Sequence, residues 1–103
     1  MTEVHFTPRA QADLRGIVER IAADNPRAAK SFAAKVERHC SLLATAPAMG
    51  RMRPDVGPGI RSLVEGNYLI FYRLVRKQDR ADILRIWHGR RTLPRLGHGS
   101  RDR

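Results

Sequence analysis

The chain has 103 residues, of which 42% are hydrophobic, enough for one domain with one modest core and too apolar for default disorder. Twenty Lys and Arg stand against ten Asp and Glu, a formal net charge of +10, which calls for a polyanionic or acidic partner. A single cysteine, Cys40, excludes an intrachain disulfide, and no apolar run approaches the ~18 residues that span a bilayer.

The opening stretch, MTEVHFTPRAQADL, lacks the apolar segment of a secretory signal. With the lone thiol, that sets the expectation of a reducing cytoplasm and no membrane partner. Val4-His5-Phe6 alternates as a short strand would, and Thr7-Pro8 then reads as a helix cap followed by a first-turn proline. From Pro8 to Asp24, Leu14, Ile17, Val18 and Ile21 share one helical face. Asn25-Pro26 breaks that helix and opens another, whose stripe is Ala29, Phe32, Ala33, Val36, Cys40 and Leu43; it fades at Ala46-Pro47. So short a link folds the two helices into a hairpin with one-sided apolar faces, which need something flat to lie on.

The second half supplies it. Residues 47–59, PAMGRMRPDVGPG, are dense in Pro and Gly and read as an ordered loop. Three strands are predicted after it: Ile60–Glu65, Tyr68–Arg76 and Asp82–His88, with Gly66-Asn67 as a tight turn and Lys77–Ala81 as a second one. The predicted fold is α+β, a helical hairpin packed on a small antiparallel sheet in the order β-α-α-β-β-β. Residues 1–96 form a single domain in this reading, and 97–103 a basic flexible tail. The middle strand, YLIFYRLV, is apolar on both faces, so the face away from the helices is expected to stay exposed and to receive a partner.

Charge is uneven along the chain. Residues 1–50 carry seven basic and five acidic side chains; residues 51–103 carry thirteen and five. Arg61, Arg73 and Arg85 each interrupt an apolar strand pattern. A guanidinium placed there requires a carboxylate, backbone carbonyls or a bound anion. Glu65, Asp79 and Asp82 are the acids expected to form structural ion pairs with them, and exposure on an edge strand is the other ordinary outcome. His88-Gly89-Arg90-Arg91 ends the last strand, with two arginines expected to project from a mobile end. His5, His39, His88 and His98 show no metal-ligand spacing with Cys40. No glycine-rich phosphate loop precedes a helix, so neither a metal nor a cofactor is expected.

The segment GRMRPDVGPGIRSLVEGNYLIFYRLV, the later ILRIWHGRR and the N-terminal TPRAQADL together resemble the RelE/ParE superfamily of toxins of type II toxin–antitoxin systems, in its ParE branch. Gly50-Arg51, Gly57 to Ser62, Tyr68 to Arg73 and Ile83 to Arg91 carry the likeness, which extends over about residues 2–96. The resemblance implies the fold already reached from pattern. It implies a cognate antitoxin whose C-terminal segment wraps the toxin, hence a hetero-oligomer. ParE-type relatives are not enzymes; they interfere with DNA gyrase and block replication. RelE-type relatives cleave mRNA on the ribosome, which requires an activated 2′-hydroxyl, a neutralised phosphate and a protonated leaving oxygen. Such nucleases often place a Tyr or His near the C-terminus, and no aromatic residue follows Trp87 here, which favours the gyrase branch. On the ParE reading, Arg85, His88, Arg90 and Arg91 contact the target. On the nuclease reading, Arg61, Arg73, Arg85 and His88 are the catalytic candidates. Tyr68 and Tyr72 belong to the core or to the antitoxin groove, and with Ile70 and Trp87 they are the expected antitoxin contacts.

Overall fold

A computed structural model describes residues 1–97; the remainder of the predicted tail, 98–103 and with it His98, lies outside the described residues. The chain runs β1 (Glu3–Phe6), α1 (Pro8–Asp24), α2 (Pro26–Thr45), β2 (Arg51–Met52), β3 (Ile60–Glu65), β4 (Tyr68–Val75), a 3-10 turn (Arg76–Gln78) and β5 (Arg80–His88). Both helix starts follow from local chemistry. The Thr7 hydroxyl accepts from the Ala10 N–H with Pro8 at the first helical position. Asn25 serves both helices: its N–H donates to the Ile21 carbonyl, closing α1, while its side chain accepts from the Ala28 N–H, opening α2.

The five strands form one sheet in the order β1-β5-β4-β3-β2. The meander β3-β4-β5 is antiparallel, as its two turns dictate. Gly66, at φ +59°, supplies the left-handed residue of the first turn, and Asp79, at φ 48°, that of the second. Two features go beyond the predicted antiparallel sheet. β1 joins parallel to β5, since the helical hairpin carries the chain from one edge to the other. The loop before β3 contains a two-residue strand, β2, pairing Arg51 with Ser62 and Met52 with Arg61.

The helices cover one sheet face. Ile17, Phe32, Val36 and Leu43 pack there on Leu63, Ile70, Tyr72, Ile83 and Ile86. A β-bulge sets which β5 residues face them: Phe71 pairs with Arg85 but Tyr72 with Ile83, so Leu84 is the extra residue. Ile83 and Ile86 therefore face the helices, whereas Leu84 and Trp87 face away.

The expectation of an exposed second face is corrected. The chain covers most of it itself, with Val56 from the 53–59 loop and with Leu93 and Leu96 from residues that follow β5, packed on Ile60, Phe71, Leu84 and Trp87. The Leu96 N–H donates to the Val56 carbonyl, joining the two covering segments. The physical reason is that an apolar strand face this large is costly in water, and two irregular segments of the same chain are near enough to close it. Val64 alone of the β3 side chains stays open, at 64% exposure.

Candidate functional site

The three strand arginines are all engaged, each as a brace. Arg61 donates to the carbonyls of Ala48 (3.0 Å) and Gly50 (2.9 Å), tying β3 to the segment after α2. Arg73 donates to the carbonyls of Pro58 and Gly97, tying β4 to both covering segments. Arg85 forms a two-pronged pair with Asp13 of α1, at 2.7 and 3.0 Å, with the two side chains only 14% and 17% exposed. Asp13 also accepts from the Ile86 N–H, at 3.0 Å, where β5 has run past the end of β1 and its backbone would otherwise face outward unpaired. Glu65, Asp79 and Asp82 are engaged by other groups. Glu65 bonds His39 of α2, Asp79 bonds Thr2, and Asp82 pairs with Arg80. Sequence separation hid the Asp13–Arg85 pair: 72 positions lie between them, and only the packing of α1 on β5 joins them.

The four nuclease candidates do not share one cleft. Arg61 and Arg73 line one cleft, of about 290 Å³, together with Arg76, Met52 and Gly59. Arg85, opposite Phe71, stands mid-strand and turns its guanidinium to Asp13 of α1, whereas His88 lies toward the other end of the meander. Arg73 pairs with Asp82, and Tyr68, five residues earlier on β4, pairs with His88. That offset is about 16 Å of strand. The second cleft, about 240 Å³, opens between α1 and the end of β5; Asp13, Gly16, Arg20, Tyr68, His88 and Arg91 line it. His88 stands edge-on to the Tyr68 ring, 5.0 Å between centroids. Its Nδ1 accepts from the Arg90 N–H at 3.1 Å, so the neutral ring carries its proton on Nε2. Asp13, Gly16 and Arg20 were missed by sequence reasoning; their common signal is the α1 spacing that puts them on successive turns of one side.

The arginines after β5 are not equivalent. Arg90 is exposed and enters no ion pair or ring contact among the described residues. Arg91, though exposed, holds its guanidinium 3.9 Å from the centroid of the Trp87 ring, which Arg85 also approaches at 5.0 Å. The segment does not simply project from the sheet, as expected; it turns back, the Trp87 indole N–H donating to the Thr92 carbonyl.

Of the residues expected to meet an antitoxin, Ile70 and Tyr72 are in the helix-side core and Trp87 in the core of the second face, each covered by the chain itself. Tyr72 is held on both sides of its hydroxyl, donating to the Pro47 carbonyl and accepting from the Gly50 N–H, each at 2.8 Å. Burial pushes its ionisation above the usual phenol range. Tyr68 remains half-buried and borders the α1–β5 cleft. Cys40 faces a wide groove between the helices. Burial first, then the Glu37 charge, push its thiol up to about 11, so it stays protonated and unreactive at neutral pH. Among the described residues no group of three potential ligands is arranged for a metal ion, and no helix is long and apolar enough to cross a membrane.

Three comparisons bear on this geometry. The family model described as "ParE toxin of type II toxin-antitoxin system, parDE" matches residues 4–93. Toxin ParE1 of Mycobacterium tuberculosis is 29% identical over 94 residues, covering 87% of this chain and 92% of that protein. Among solved structures, the chromosomal ParDE toxin–antitoxin system of P. aeruginosa matches with a TM-score of 0.71 at 25% identity, over 85% of this chain and 96% of that one. The toxin–antitoxin complex RelBE2 of M. tuberculosis matches with a TM-score of 0.60 at 29% identity, over 84% and 96%.

Proposed function

The chain belongs to the ParE family of toxins of type II toxin–antitoxin systems, and from that premise we propose that it acts in the cytoplasm without catalysis, by binding DNA gyrase, and is neutralised by a cognate antitoxin. One observation carries the reading. The sequence-predicted catalytic set is not gathered in one cleft: Arg61 and Arg73 line one and His88 another, with Arg61, Arg73 and Arg85 already bonded within the fold, while Arg90 and Arg91 stand exposed just beyond β5. Exposed arginines contribute charge and donors to a gyrase–DNA surface at little conformational cost to the toxin, and such a contact weakens as salt rises. His88 and Arg85 then hold the segment that presents them.

The test pairs two assays. Purified toxin is expected to inhibit gyrase supercoiling and to leave ribosome-bound mRNA intact, and the Arg90→Ala/Arg91→Ala double variant to lose at least tenfold in inhibition, with Arg90→Ala alone still binding antitoxin in full. Activity in the mRNA assay alone would overturn the gyrase reading. The Arg61–Arg73–Arg76 cleft favours that second reading, ribosome-dependent mRNA cleavage, because three arginines line one recess. It requires that removing Arg61 or Arg73 abolish cleavage.

A further inference from the structure

Gly16 lies in the middle of α1, with no turn, kink or positive φ to require it. A Cβ built there meets nothing within 4 Å, so packing inside the protein does not require it either. Glycine is the poorest helix former after proline, and an alanine would fit. What the missing side chain does leave is room in the α1–β5 cleft, where Gly16 forms part of the wall.

The rest of that cleft has a definite character. Asp13 is its one acid, and both its oxygens are taken, by Arg85 and by the Ile86 N–H. Arg20 and Arg91 border it, and neither pairs with a carboxylate among the described residues. His88, with its Nδ1 occupied, has Nε2 as its remaining donor, and Tyr68 adds a phenol. Ile17 and Ile86, both buried, contribute an apolar floor. Cationic rim, apolar floor and about 240 Å³ of space suit one short amphipathic anion, whose methylenes lie on the isoleucines while its charge meets the guanidiniums. A recess of that size admits a single side chain, not a run of phosphodiester backbone with its sugars.

We propose that the cleft between α1 and the end of β5 is a receptor for an acidic side chain, a glutamate or aspartate, of a partner polypeptide, and that Gly16 is there to admit it. The proposal rests on the reading that an antitoxin neutralises the chain. It adds a means: an acid seated on Arg20 and Arg91 covers one of the two arginines offered to the target, so antitoxin and target exclude one another.

The probes are N-acetylglutamate α-amide, which presents one side-chain carboxylate, and inorganic phosphate, each titrated into the ¹⁵N-labelled full chain. The carboxylate is expected to shift the signals of Gly16, Ile86, His88 and Arg91 together. Gly16→Ala should raise Tm yet weaken that titration at least fivefold, and Arg20→Ala should weaken it without lowering Tm. Shifts spread over all arginines, a titration indifferent to Gly16→Ala, or tighter binding of phosphate at the same residues would overturn the assignment. Co-expression with the cognate antitoxin separates the two readings. Protection of cells alongside a failed titration would place the antitoxin elsewhere on the toxin. A localised, Gly16-dependent titration with no protection would remove the antitoxin as partner.

Discussion

The two faces of the sheet are closed by different means. On one, α1 and α2 lay continuous stripes of apolar side chains over Leu63, Ile70, Tyr72, Ile83 and Ile86, and each helix satisfies its own backbone. On the other, two irregular segments reach in with Val56, Leu93 and Leu96, and their backbone groups are satisfied by single bonds to other parts of the chain: Leu96 to Val56, Trp87 to Thr92, Arg73 to Pro58 and Gly97. Both faces hold fully buried residues, Leu43 and Ile83 on the first, Ile60 and Phe71 on the second. The difference lies in cooperativity. A helix leaves the sheet only as a unit, whereas a seven-residue segment anchored by a few contacts can open by itself.

The largest expected effect tests that contrast. Leu43→Ala removes a fully buried side chain from between helix and sheet, where the surroundings cannot collapse, and should destabilise by about 2–5 kcal/mol. Leu96→Ala acts on a residue 8% exposed in a segment that can settle, and should cost about 1–2 kcal/mol. Chemical denaturation measures both. Hydrogen exchange adds the mechanism: the Leu96 amide should exchange through an opening that leaves the α1 and α2 amides protected. Equal costs for the two variants, or exchange of Leu96 only by global unfolding, would break the comparison.

A smaller effect sharpens it. A Cβ on Gly57 would sit 2.2 Å from the Leu96 carbonyl oxygen, a backbone atom that cannot swing aside. Gly57→Ala should therefore push the 91–97 segment off the second face at a cost of about 1–3 kcal/mol, with the helix-covered face unchanged. The readout is Trp87 fluorescence, since its indole N–H bond to Thr92 and its contact with Arg91 would go together. An unchanged spectrum would mean that the segment is not held as one piece.

The same contrast explains what could be read in advance. The helices were legible to the residue because Thr7-Pro8 and Asn25-Pro26 mark their starts in side-chain chemistry, and the 3.6-residue stripe marks their buried faces. The meander was legible because Gly66-Asn67 and the apolar run of β4 are local signals. The cover of the second face was not. Val56 and Leu96 stand 40 positions apart in segments without periodicity, and nothing local tells a leucine in an irregular tail that it will meet Phe71. The site suffered in the same way. Arg61, Arg73 and Arg85 were correctly found to need partners, but carbonyls at 48, 50 and 58 and a carboxylate at 13 are assigned by tertiary packing alone. The α1 side of the cleft carried one local anomaly, a glycine in mid-helix, and its meaning depended on what lay opposite.

The smallest expected effect separates two adjacent arginines. Pattern makes Arg90 and Arg91 a matched exposed pair, so that replacing either would leave stability within about 0.5 kcal/mol. The geometry divides them. Arg91 lies over the Trp87 ring at 3.9 Å, at the point where the chain turns back onto the second face, whereas among the described residues Arg90 has only its backbone N–H committed, to His88. A guanidinium on a buried indole contributes about 0.5–1 kcal/mol at a partly solvated site. Arg91→Ala should lose that amount and loosen the covering segment. Arg91→Lys should recover only part, because an ammonium does not stack as a planar guanidinium does. Arg90→Ala should be neutral. Loss of gyrase inhibition with Arg90→Ala at unchanged stability would then report the target contact itself, while the same loss with Arg91→Ala would mix contact with presentation. Identical stabilities for the two alanine variants would show that the Trp87 contact holds nothing in place, and that the second face is closed by its leucines alone.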